Sequence, residues 1–584
     1  MTTYGKHYTN EKNVLILIAL LKANGIRKVI ASPGTTNMTF IGSIQNDSFF
    51  QIWSSVDERS AAYMACGMAI ETGEPVVISC TGATASRNYL PGLTEAFYRK
   101  IPVLAVTSHR GESQIGHLHD QQIDRRVIPN DVAVEKVTLP MIDTPDDEKY
   151  CIMEANKAIL ALKLNGGGPV HINLYTRYSS DFTVEQLPKI PVIQRFTSVD
   201  QLPNLKVGKI GVIIGSHKNF DIEETDAIDA FCASNDGVVF CDHTSGYCGK
   251  YRVNSHLVCS QSEYSSPNFQ LDLLIHIGEI SATGNPIGKE VWRVSPDGAL
   301  RNTFGHLTKV FMMQETEFFR HYTSCNQPPK TEQLDVCRHE YANFLAKIPE
   351  LPFGNIWIAQ HTAPNLPINS ELHMGIFNSL RSWSFFDLPE GVLGKCNVGG
   401  FGIDGGMSSL IGASLARPDK LFFGVLGDLA FFYDMNVLGN RHVGNNVRIL
   451  LINNSRGTEF RLKRHPCHIF GEDADLFLAA AGHFGNQSPD LVKGFSTALG
   501  FTYLSASCKK EYVDNLNKFI SPSTQQRPIL FEVFTQTDDE SEALEIVQTL
   551  MVHSFQHRKK MAKEIIKSIV GQKRIGTIKK IIGK

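Results

Sequence analysis

The sequence lacks the patterns that mark a membrane-spanning, disulfide-stapled or zinc-binding protein. The apolar run VLILIALL (14–21) is far shorter than the roughly 20 apolar residues that cross a bilayer. It follows two lysines, as in a signal peptide, but no small-residue cleavage site follows, and LLKANG predicts a helix ending at Gly25. The twelve cysteines are scattered without a C-x-x-C pair, which argues against zinc and disulfide frameworks and favours reduced thiols in a cytoplasm.

An excess of charge of either sign is also missing. The formal net charge of −2 gives no general attraction for nucleic acid. Only the C-terminal tail departs from this balance, since residues 556–584 contain ten Lys or Arg and one acid. Its apolar residues at helical spacing are Ile565, Ile566, Ile569 and Val570. The tail is interpreted as a solvated terminal helix or, alternatively, as a basic amphipathic helix that contacts an anionic membrane surface or a partner.

Strand-like and helix-like patterns alternate along the chain, as in parallel sheets covered by helices on both faces. A length of 584 residues is too great for one core, and the alternation recurs in three stretches. Connectors at 180–205 and 326–370 separate these stretches. We therefore predict an α/β protein of three doubly wound parallel-sheet domains, with boundaries at 1–185, 200–345 and 365–550, followed by the tail at 551–584.

Polar side chains end two apolar runs of the third predicted domain. Gly427-Asp428 follows LFFGVL, and Asn453-Asn454 follows VRILLI. Ligands of parallel sheets bind beyond the carboxyl ends of the strands, and carboxylate and amide oxygens suit Mg²⁺. A helix expected to begin near Ala430 would offer N–H groups to a diphosphate. The alternative is a helix-capping aspartate beside an Asn-Asn turn, but the two elements at this spacing favour a metal–diphosphate site.

This G-D…N-N spacing resembles the signature of the thiamine diphosphate (ThDP) enzymes, which include acetolactate synthases and pyruvate decarboxylases. GDLA followed by Asp434-Met435-Asn436 is similar to the MenD-type branch, which makes 2-succinyl-5-enolpyruvyl-6-hydroxy-3-cyclohexene-1-carboxylate (SEPHCHC). The resemblance implies pyrimidine-binding, middle and diphosphate-binding domains, in that order. It implies a Mg²⁺ or Mn²⁺ ion held by Asp428, Asn454 and the backbone carbonyl of Arg456. It places Gly427, Asp428, Leu429, Ala430 and Asn454 at the cofactor, with Leu429 standing where many members have glycine.

The glycine-rich segment NVGGFGIDGG (397–406) contains G-x-G-x-x-G at Gly400, Gly402 and Gly405. One interpretation is the dinucleotide fingerprint of an oxidoreductase, but such a loop directly follows a buried strand, and EGVLGKCNVG is a poor strand. The segment resembles instead the N-R-G-A-S-G-I-D-G element of MenD-type enzymes. That resemblance implies that Ile403 supports the bent conformation of the cofactor.

An acidic pair in SSVDERSAAYMACGMA (54–69) lies where a short strand meets a helix. Acids in a first helical turn are common, because they interact favourably with the helix dipole. V-D-E-R also matches the family segment that carries the catalytic glutamate, which implies that role for Glu58. The glutamate would hydrogen-bond N1′ of the aminopyrimidine, and an apolar pocket would raise its pKa for that purpose.

The substrate side of the first domain departs from the family pattern. SPGTT (32–36) resembles the S/C-P-G-S-R turn, and Thr36 stands where that turn has its substrate-binding arginine. Val398 stands where the N-R-G element has its arginine. Arg110 corresponds to the arginine of the D-R-P element, and Gln121 to the glutamine of N-Q-x-I-D, near the reacting carbon. Neither Thr nor Val replaces an arginine that pairs with a carboxylate. Arg87, Lys395 and Arg456 are candidates to compensate.

The resemblance implies a ThDP- and Mg²⁺-dependent transferase or lyase that decarboxylates a 2-oxo acid and passes the acyl carbanion to an acceptor. It implies a cytoplasmic homodimer or homotetramer with Glu58 reaching the cofactor across a subunit interface, acting on small molecules and not on nucleic acid. The alternatives are an acetolactate synthase-like carboligase, a simple 2-oxo acid decarboxylase, a nicotinamide oxidoreductase, and a fold kept as a binding scaffold.

Overall fold

The computed structural model describes residues 7–199, 202–206, 208–281, 283–324, 328–483, 488–523 and 526–551. The predicted basic tail, from residue 552 onward, lies outside the described residues. The chain forms two compact units. Unit 1 comprises the described residues up to Phe196 together with Gly298–Asn302 and Leu307–Val310, and unit 2 comprises the rest.

Unit 1 contains a sheet of six parallel strands. The strands are β1 (Lys28–Ala31), β2 (Gln51–Ser54), β3 (Val76–Thr81), β4 (Val103–His109), β5 (Glu135–Leu139) and β6 (Val170–Tyr175). Their spatial order is β2-β1-β3-β4-β6-β5. The helices are α1 (Lys12–Ala23), α2 (Met38–Ile44), α3 (Glu58–Thr72), α4 (Thr84–Asn88), α5 (Leu90–Tyr98) and α6 (Pro145–Ala161). The run VLILIALL lies within α1, which ends just before Gly25 in the left-handed conformation (φ 70°), as predicted.

Both faces of this sheet are buried, because consecutive strand residues point to opposite sides. Val29, Val77 and Leu104 pack in a core with α1 and α6. Their neighbours Ile30, Ile78 and Ala105 pack in a second core with α3 and α5. This two-sided burial explains why the strands read as continuous apolar runs, and it is the doubly wound arrangement that the alternation predicts.

Unit 2 contains a central parallel sheet in the order β10-β9-β8-β12-β14. The strands of this part of unit 2 are β8 (Ile210–Ile214), β9 (Val238–Cys241), β10 (Arg252–Val253), β11 (Gln270–Leu271), β12 (Leu273–Ile277), β13 (Ile287–Gly288) and β14 (Val291–Val294). Strand β7 (Gln194–Phe196) and the first four residues of β15 (Leu307–Phe311) belong to unit 1. The helices are α7 (Ile222–Asn235), α8 (His256–Cys259), α9 (Glu315–His321) and α10 (Glu332–Leu345).

A third sheet, also in unit 2, has six parallel strands in the order β17-β16-β18-β19-β21-β20. They are β16 (Ser370–Met374), β17 (Leu393–Lys395), β18 (Leu421–Gly427), β19 (Val447–Asn453), β20 (Thr502–Ala506) and β21 (Ile529–Phe534). The helices are α11 (Asn355–Thr362), α12 (Asn378–Trp383), α13 (Gly406–Ala416), α14 (Asp428–Asp434), α15 (Ala474–Phe477), α16 (Pro489–Ala498), α17 (Lys509–Phe519) and α18 (Thr537–Gln548). Because β18 and β19 are neighbours, Asp428 and Asn454 lie at the same sheet edge.

Three parallel sheets with connecting helices confirm the predicted α/β class. The predicted domain boundaries stay predictions. Among the helices that the structure describes, none combines the length and the apolar character needed to span a bilayer.

A buried acid connects three segments of the third sheet domain. Glu540 is 2% exposed, and its carboxylate accepts hydrogen bonds from the Asn355 backbone N–H (3.0 Å), the Thr535 hydroxyl (2.9 Å) and the Asn378 amide (3.4 Å). Burial outweighs these donors and raises the pKa of Glu540 to about 7. The folded protein therefore holds a proton that the unfolded chain releases near pH 4.5.

We expect this proton to make stability fall as pH rises from about 4.5 to about 7, and Glu540→Gln to remove that component. The variant keeps a neutral side chain of the same shape, so above pH 7 it should be more stable by up to about 3 kcal/mol. Urea unfolding at several pH values measures this. The matched control is Glu542→Gln, an exposed acid on the same helix. Parallel pH profiles for the parent and Glu540→Gln would contradict the prediction.

Candidate active site

Asp428 joins the ends of two neighbouring strands. It is the first residue of α14, directly after β18, and is 3% exposed. One carboxylate oxygen accepts from the N–H of Leu429 (2.7 Å), and the other accepts from the N–H groups of Asn454 (3.0 Å) and Arg456 (3.2 Å). Burial raises the pKa of Asp428 to about 6, against the lowering effect of these donors. The helix begins two residues before the predicted start near Ala430, so its first N–H groups lie closer to the strand end.

The two asparagines at the end of β19 have different surroundings. Asn453 donates to Glu532 Oε1 (2.7 Å) and accepts from the N–H of Ser455 (3.1 Å), so it is fully used inside the domain. Asn454 is 7% exposed, and its Oδ1 is buried without a hydrogen-bond partner among the described residues. Ser455 then adopts a left-handed conformation (φ 61°), which turns the chain back toward Asp428.

These atoms form a set of hard oxygen donors. The set contains the Asp428 carboxylate, the unpartnered Asn454 amide oxygen and the Arg456 carbonyl, which accepts one bond from the Thr458 N–H (2.9 Å) and keeps a second lone pair. Mg²⁺ takes such oxygens and fills its other positions with water and phosphate. Within the described ranges no cluster of three His, Cys, Asp or Glu side chains is arranged to hold a metal. The residues fit a Mg²⁺–diphosphate group.

The glycine-rich segment connects β17 to α13 at the edge of the third sheet. The prediction of a poor strand there was wrong in part, because Leu393–Lys395 does form a strand of three residues. It is an edge strand, and ten residues of loop separate it from α13, unlike a dinucleotide loop that follows a buried strand directly. Gly405, in the left-handed conformation (φ 65°), precedes α13.

Asp434 holds the far end of this loop. Its carboxylate accepts from both the N–H and the hydroxyl of Ser408, each at 2.6 Å, in the first turn of α13. Ile403 is half-buried and packs against the apolar core that contains Met407 and Leu426. The aspartate of the D-x-N element therefore fixes the helix that follows Ile403, a contact that the sequence pattern did not predict.

Glu58 begins α3 in unit 1, and Asp57 is the helix cap, accepting from the N–H of Arg59 (3.0 Å). The Glu58 carboxylate accepts from the Asn88 amide (3.3 Å) and is partly exposed. The apolar pocket expected around Glu58 is therefore not closed by unit 1 alone. The outward face of α3 is apolar, since Tyr63, Met64 and Ile70 are 48%, 44% and 49% exposed.

The candidate substrate-binding residues of unit 1 differ in their exposure and in their hydrogen-bond partners. Thr36 is 6% exposed, and its hydroxyl donates to the Ser108 carbonyl (3.2 Å), so the side chain is hydrogen-bonded in the interior of the domain. Arg110 is 28% exposed at its side chain and contacts the Tyr178 hydroxyl and Asp120. Gln121 is exposed and left-handed (φ 57°).

The cations proposed to compensate for the missing arginines have partners of their own. Arg456 pairs with Asp475 (2.7 Å), Arg87 donates to the Asp124 carbonyl (2.8 Å), and half-buried Lys395 donates to Asn219. Val398 is 3% exposed and offers no charge to a carboxylate.

Sequence reasoning missed two acids that shape this site. Asp475 bridges the guanidinium groups of Arg456 and Arg461, and no local pattern marks it. Glu532 lies buried behind Asn453 and also accepts from the Tyr503 hydroxyl (2.8 Å). An acid in the middle of the apolar run ILFEVF is a signal that could have found Glu532.

Comparison with known proteins finds a matching family model and several similar enzymes. Residues 14–128 match the thiamine pyrophosphate enzyme, N-terminal TPP binding domain. The chain is 29% identical over 561 residues to the SEPHCHC synthase of Bacteroides fragilis, covering 92% of this chain and 98% of that protein. It is 29% identical over 566 residues to the enzyme of the same name from Phocaeicola vulgatus, with the same coverage. It is 27% identical over 553 residues to the enzyme of the same name from Flavobacterium psychrophilum, covering 89% of this chain and 95% of that protein.

Among solved structures, the ThDP-dependent 4-hydroxybenzoylformate decarboxylase of Rhodococcus jostii RHA1 is 15% identical and covers 90% of this chain and 100% of its own. Its TM-score of 0.38 is too low to carry an argument. The sequence match over nearly the whole chain and the matched N-terminal domain are the findings that count. Residues 14–128 thus match the N-terminal domain of the thiamine diphosphate-dependent enzymes, and the chain is similar over nearly its whole length to SEPHCHC synthases.

Proposed function

We propose that this protein is a ThDP- and Mg²⁺-dependent carboligase that decarboxylates a 2-oxo acid and transfers the acyl carbanion to an acceptor. The observation that carries the proposal is the unpartnered Oδ1 of Asn454, buried beside the Asp428 carboxylate at adjoining strand ends. An amide oxygen buried without a donor is costly unless a ligand occupies it. The relatives that match over nearly the whole chain are named SEPHCHC synthases, and their names support a MenD-like reaction.

Each residue of the site has a task in this proposal. Asp428, Asn454 and the Arg456 carbonyl would hold Mg²⁺, while Gly427 leaves open space beside the backbone for a diphosphate. When bound, ThDP accepts the electron pair released with CO₂. Glu58 would hold the proton at N1′ of the aminopyrimidine, and Ile403 would support the cofactor from the helix that Asp434 anchors.

The proposal includes a homodimer or a dimer of dimers. Two observations support it: Glu58 is only partly enclosed, and the apolar face of α3 with Tyr63, Met64 and Ile70 is open. A second subunit covering that face would remove apolar area from water and close the pocket around Glu58. The location proposed is cytoplasmic, and the absence of any disulfide among the described cysteines is consistent with it.

The acceptor is proposed to differ from isochorismate. In MenD-type enzymes arginines bind the carboxylates of 2-oxoglutarate and isochorismate, and two of those positions are Thr36 and Val398 here. Both side chains are at least nine-tenths buried, and neither carries a charge. Arg110 remains partly exposed and is the cation proposed to bind the donor carboxylate.

A substrate panel tests the reaction. Protein with ThDP and Mg²⁺ is incubated with pyruvate, 2-oxoglutarate or other 2-oxo acids, with and without isochorismate, and the products are identified by NMR. We expect CO₂ release from at least one donor, loss of that activity after metal chelation, and its return with Mg²⁺. If pyruvate is consumed while 2-oxoglutarate plus isochorismate yields nothing, MenD activity is excluded. ThDP binding without turnover of any 2-oxo acid would favour a binding scaffold.

A further inference from the structure

A small cavity in unit 1 is lined by aliphatic side chains together with positive and neutral polar ones. It measures about 20 Å³, which is enough for one occupant of roughly the size of a water molecule. Aliphatic side chains from α5 and from the segment 128–132 form the rest of its wall. Its polar lining consists of Ser86, Arg87, Tyr89, Thr107, Arg125 and His171. None of the described lining residues is acidic.

Arg125 is the most deeply buried of these cations, at 4% exposure. Its Nη1 donates to the Thr107 hydroxyl (2.6 Å) and its Nη2 to the Asn173 amide oxygen, and both acceptors are neutral. Its Nε is buried without a hydrogen-bond partner among the described residues. Burial lowers the pKa of Arg125 to about 10, which leaves the guanidinium charged at neutral pH. A buried charge is normally paired, because leaving it uncompensated is costly.

The surroundings add positive charge to the cavity, and within the described residues no acidic side chain forms a hydrogen bond or ion pair with either arginine of the lining. Arg87 lines the same cavity and donates only to a backbone oxygen, the Asp124 carbonyl. The Asp124 carboxylate is instead paired with exposed Arg126 (2.7 Å). His171 shares the Thr107 hydroxyl through Nε2 (2.7 Å), while its Nδ1 is buried without a partner among the described residues. Burial, aided by the charge of Arg125, lowers the pKa of His171 to about 3, so the ring is neutral.

We propose that this cavity is a binding site for a small inorganic anion of the halide class, held by Arg125 and Arg87. A monatomic anion comes nearest in size to the occupant that this space admits, and its charge supplies what the lining lacks. Polyatomic anions such as phosphate or sulfate are too large for this space. Arg125 follows Gln121 and Asp124 in the chain, so a bound anion would tie the segment that carries the candidate catalytic glutamine to the sheet. The site is independent of the metal and diphosphate residues of unit 2.

Bromide crystallography tests the site directly. Crystals of the full chain with ThDP and Mg²⁺ are grown or soaked in bromide, and anomalous scattering at the bromine edge is measured. We expect a peak within hydrogen-bonding distance of Arg125. A water peak without anomalous signal in this cavity would overturn the proposal.

A halide titration in solution tests the role of Arg125. At constant ionic strength, replacing gluconate with chloride should raise the unfolding midpoint of the ThDP–Mg²⁺ protein by about 3 °C, saturably. Arg125→Met should abolish this rise. The matched control Arg126→Met removes the adjacent, exposed cation and should respond like the parent. A parent whose midpoint does not change with chloride, or an Arg125→Met variant that responds fully, would contradict the inference.

Discussion

Glu58→Gln is expected to lower the rate of CO₂ release from the 2-oxo acid donor by at least about 100-fold. A glutamine keeps the shape of the side chain but cannot exchange a proton with N1′ of the aminopyrimidine. Because Glu58 is at the start of α3 and accepts a single hydrogen bond, from Asn88, the substitution leaves the fold intact. Affinity for ThDP and Mg²⁺ should change little, since the residues proposed to bind the metal and the diphosphate belong to unit 2.

The measurement is single-turnover CO₂ release at saturating donor, with cofactor affinity determined separately by calorimetry. The matched control is Glu71→Gln, an exposed acid near the other end of the same helix. It should retain the parent rate. If Glu58→Gln also retains the parent rate, the catalytic assignment is wrong; if it loses cofactor affinity in proportion to rate, the role is binding and not proton transfer.

Asp428→Asn is expected to weaken Mg²⁺-dependent binding of ThDP by at least about 100-fold and to abolish turnover at ordinary cofactor concentrations. The substitution removes the single negative charge of the proposed donor set. It also turns one acceptor oxygen into an amide that faces N–H donors from Leu429, or from Asn454 and Arg456. Both effects act against the metal and its diphosphate.

Calorimetric titration with ThDP at several Mg²⁺ concentrations measures this loss, and circular dichroism reports whether the fold is kept. Asp419→Asn is the control, because that exposed acid in the same domain is paired only with Arg417. It should bind the cofactor as the parent does. An Asp428→Asn variant that is folded and binds ThDP normally would remove the metal site from Asp428.

The predictable part of the fold is the part with long buried apolar runs. The strands β4, β18 and β19 each extend over seven residues that are almost all buried, so their sequences are mostly apolar. Strands β5 and β16, in contrast, are only partly buried over their five positions and were not predicted. Short, polar or half-buried strands leave a periodicity too weak to separate from loop.

The candidate site, too, has one part that could be predicted from sequence and one part that could not. Asp428 and Asn454 could be identified from sequence because strand ends bring distant residues together by a general rule of parallel sheets. The sequence could not tell that Asn453 is held by Glu532 while Asn454 is left free. That difference depends on a pairing 79 residues apart, between neighbouring strands.

By itself, the sequence determined the α/β class, the order of the strand-end motifs and the resemblance to a family, because these depend on local periodicity and on residue types at set spacings. The tertiary structure alone decided which charged and polar side chains already have partners within the protein. Arg456 is ion-paired with Asp475, the Thr36 hydroxyl is hydrogen-bonded in the interior, and Arg125 is buried without a described acid to pair with. Such pairings depend on which segments meet in space, and the cost of an unpaired charge depends on its burial.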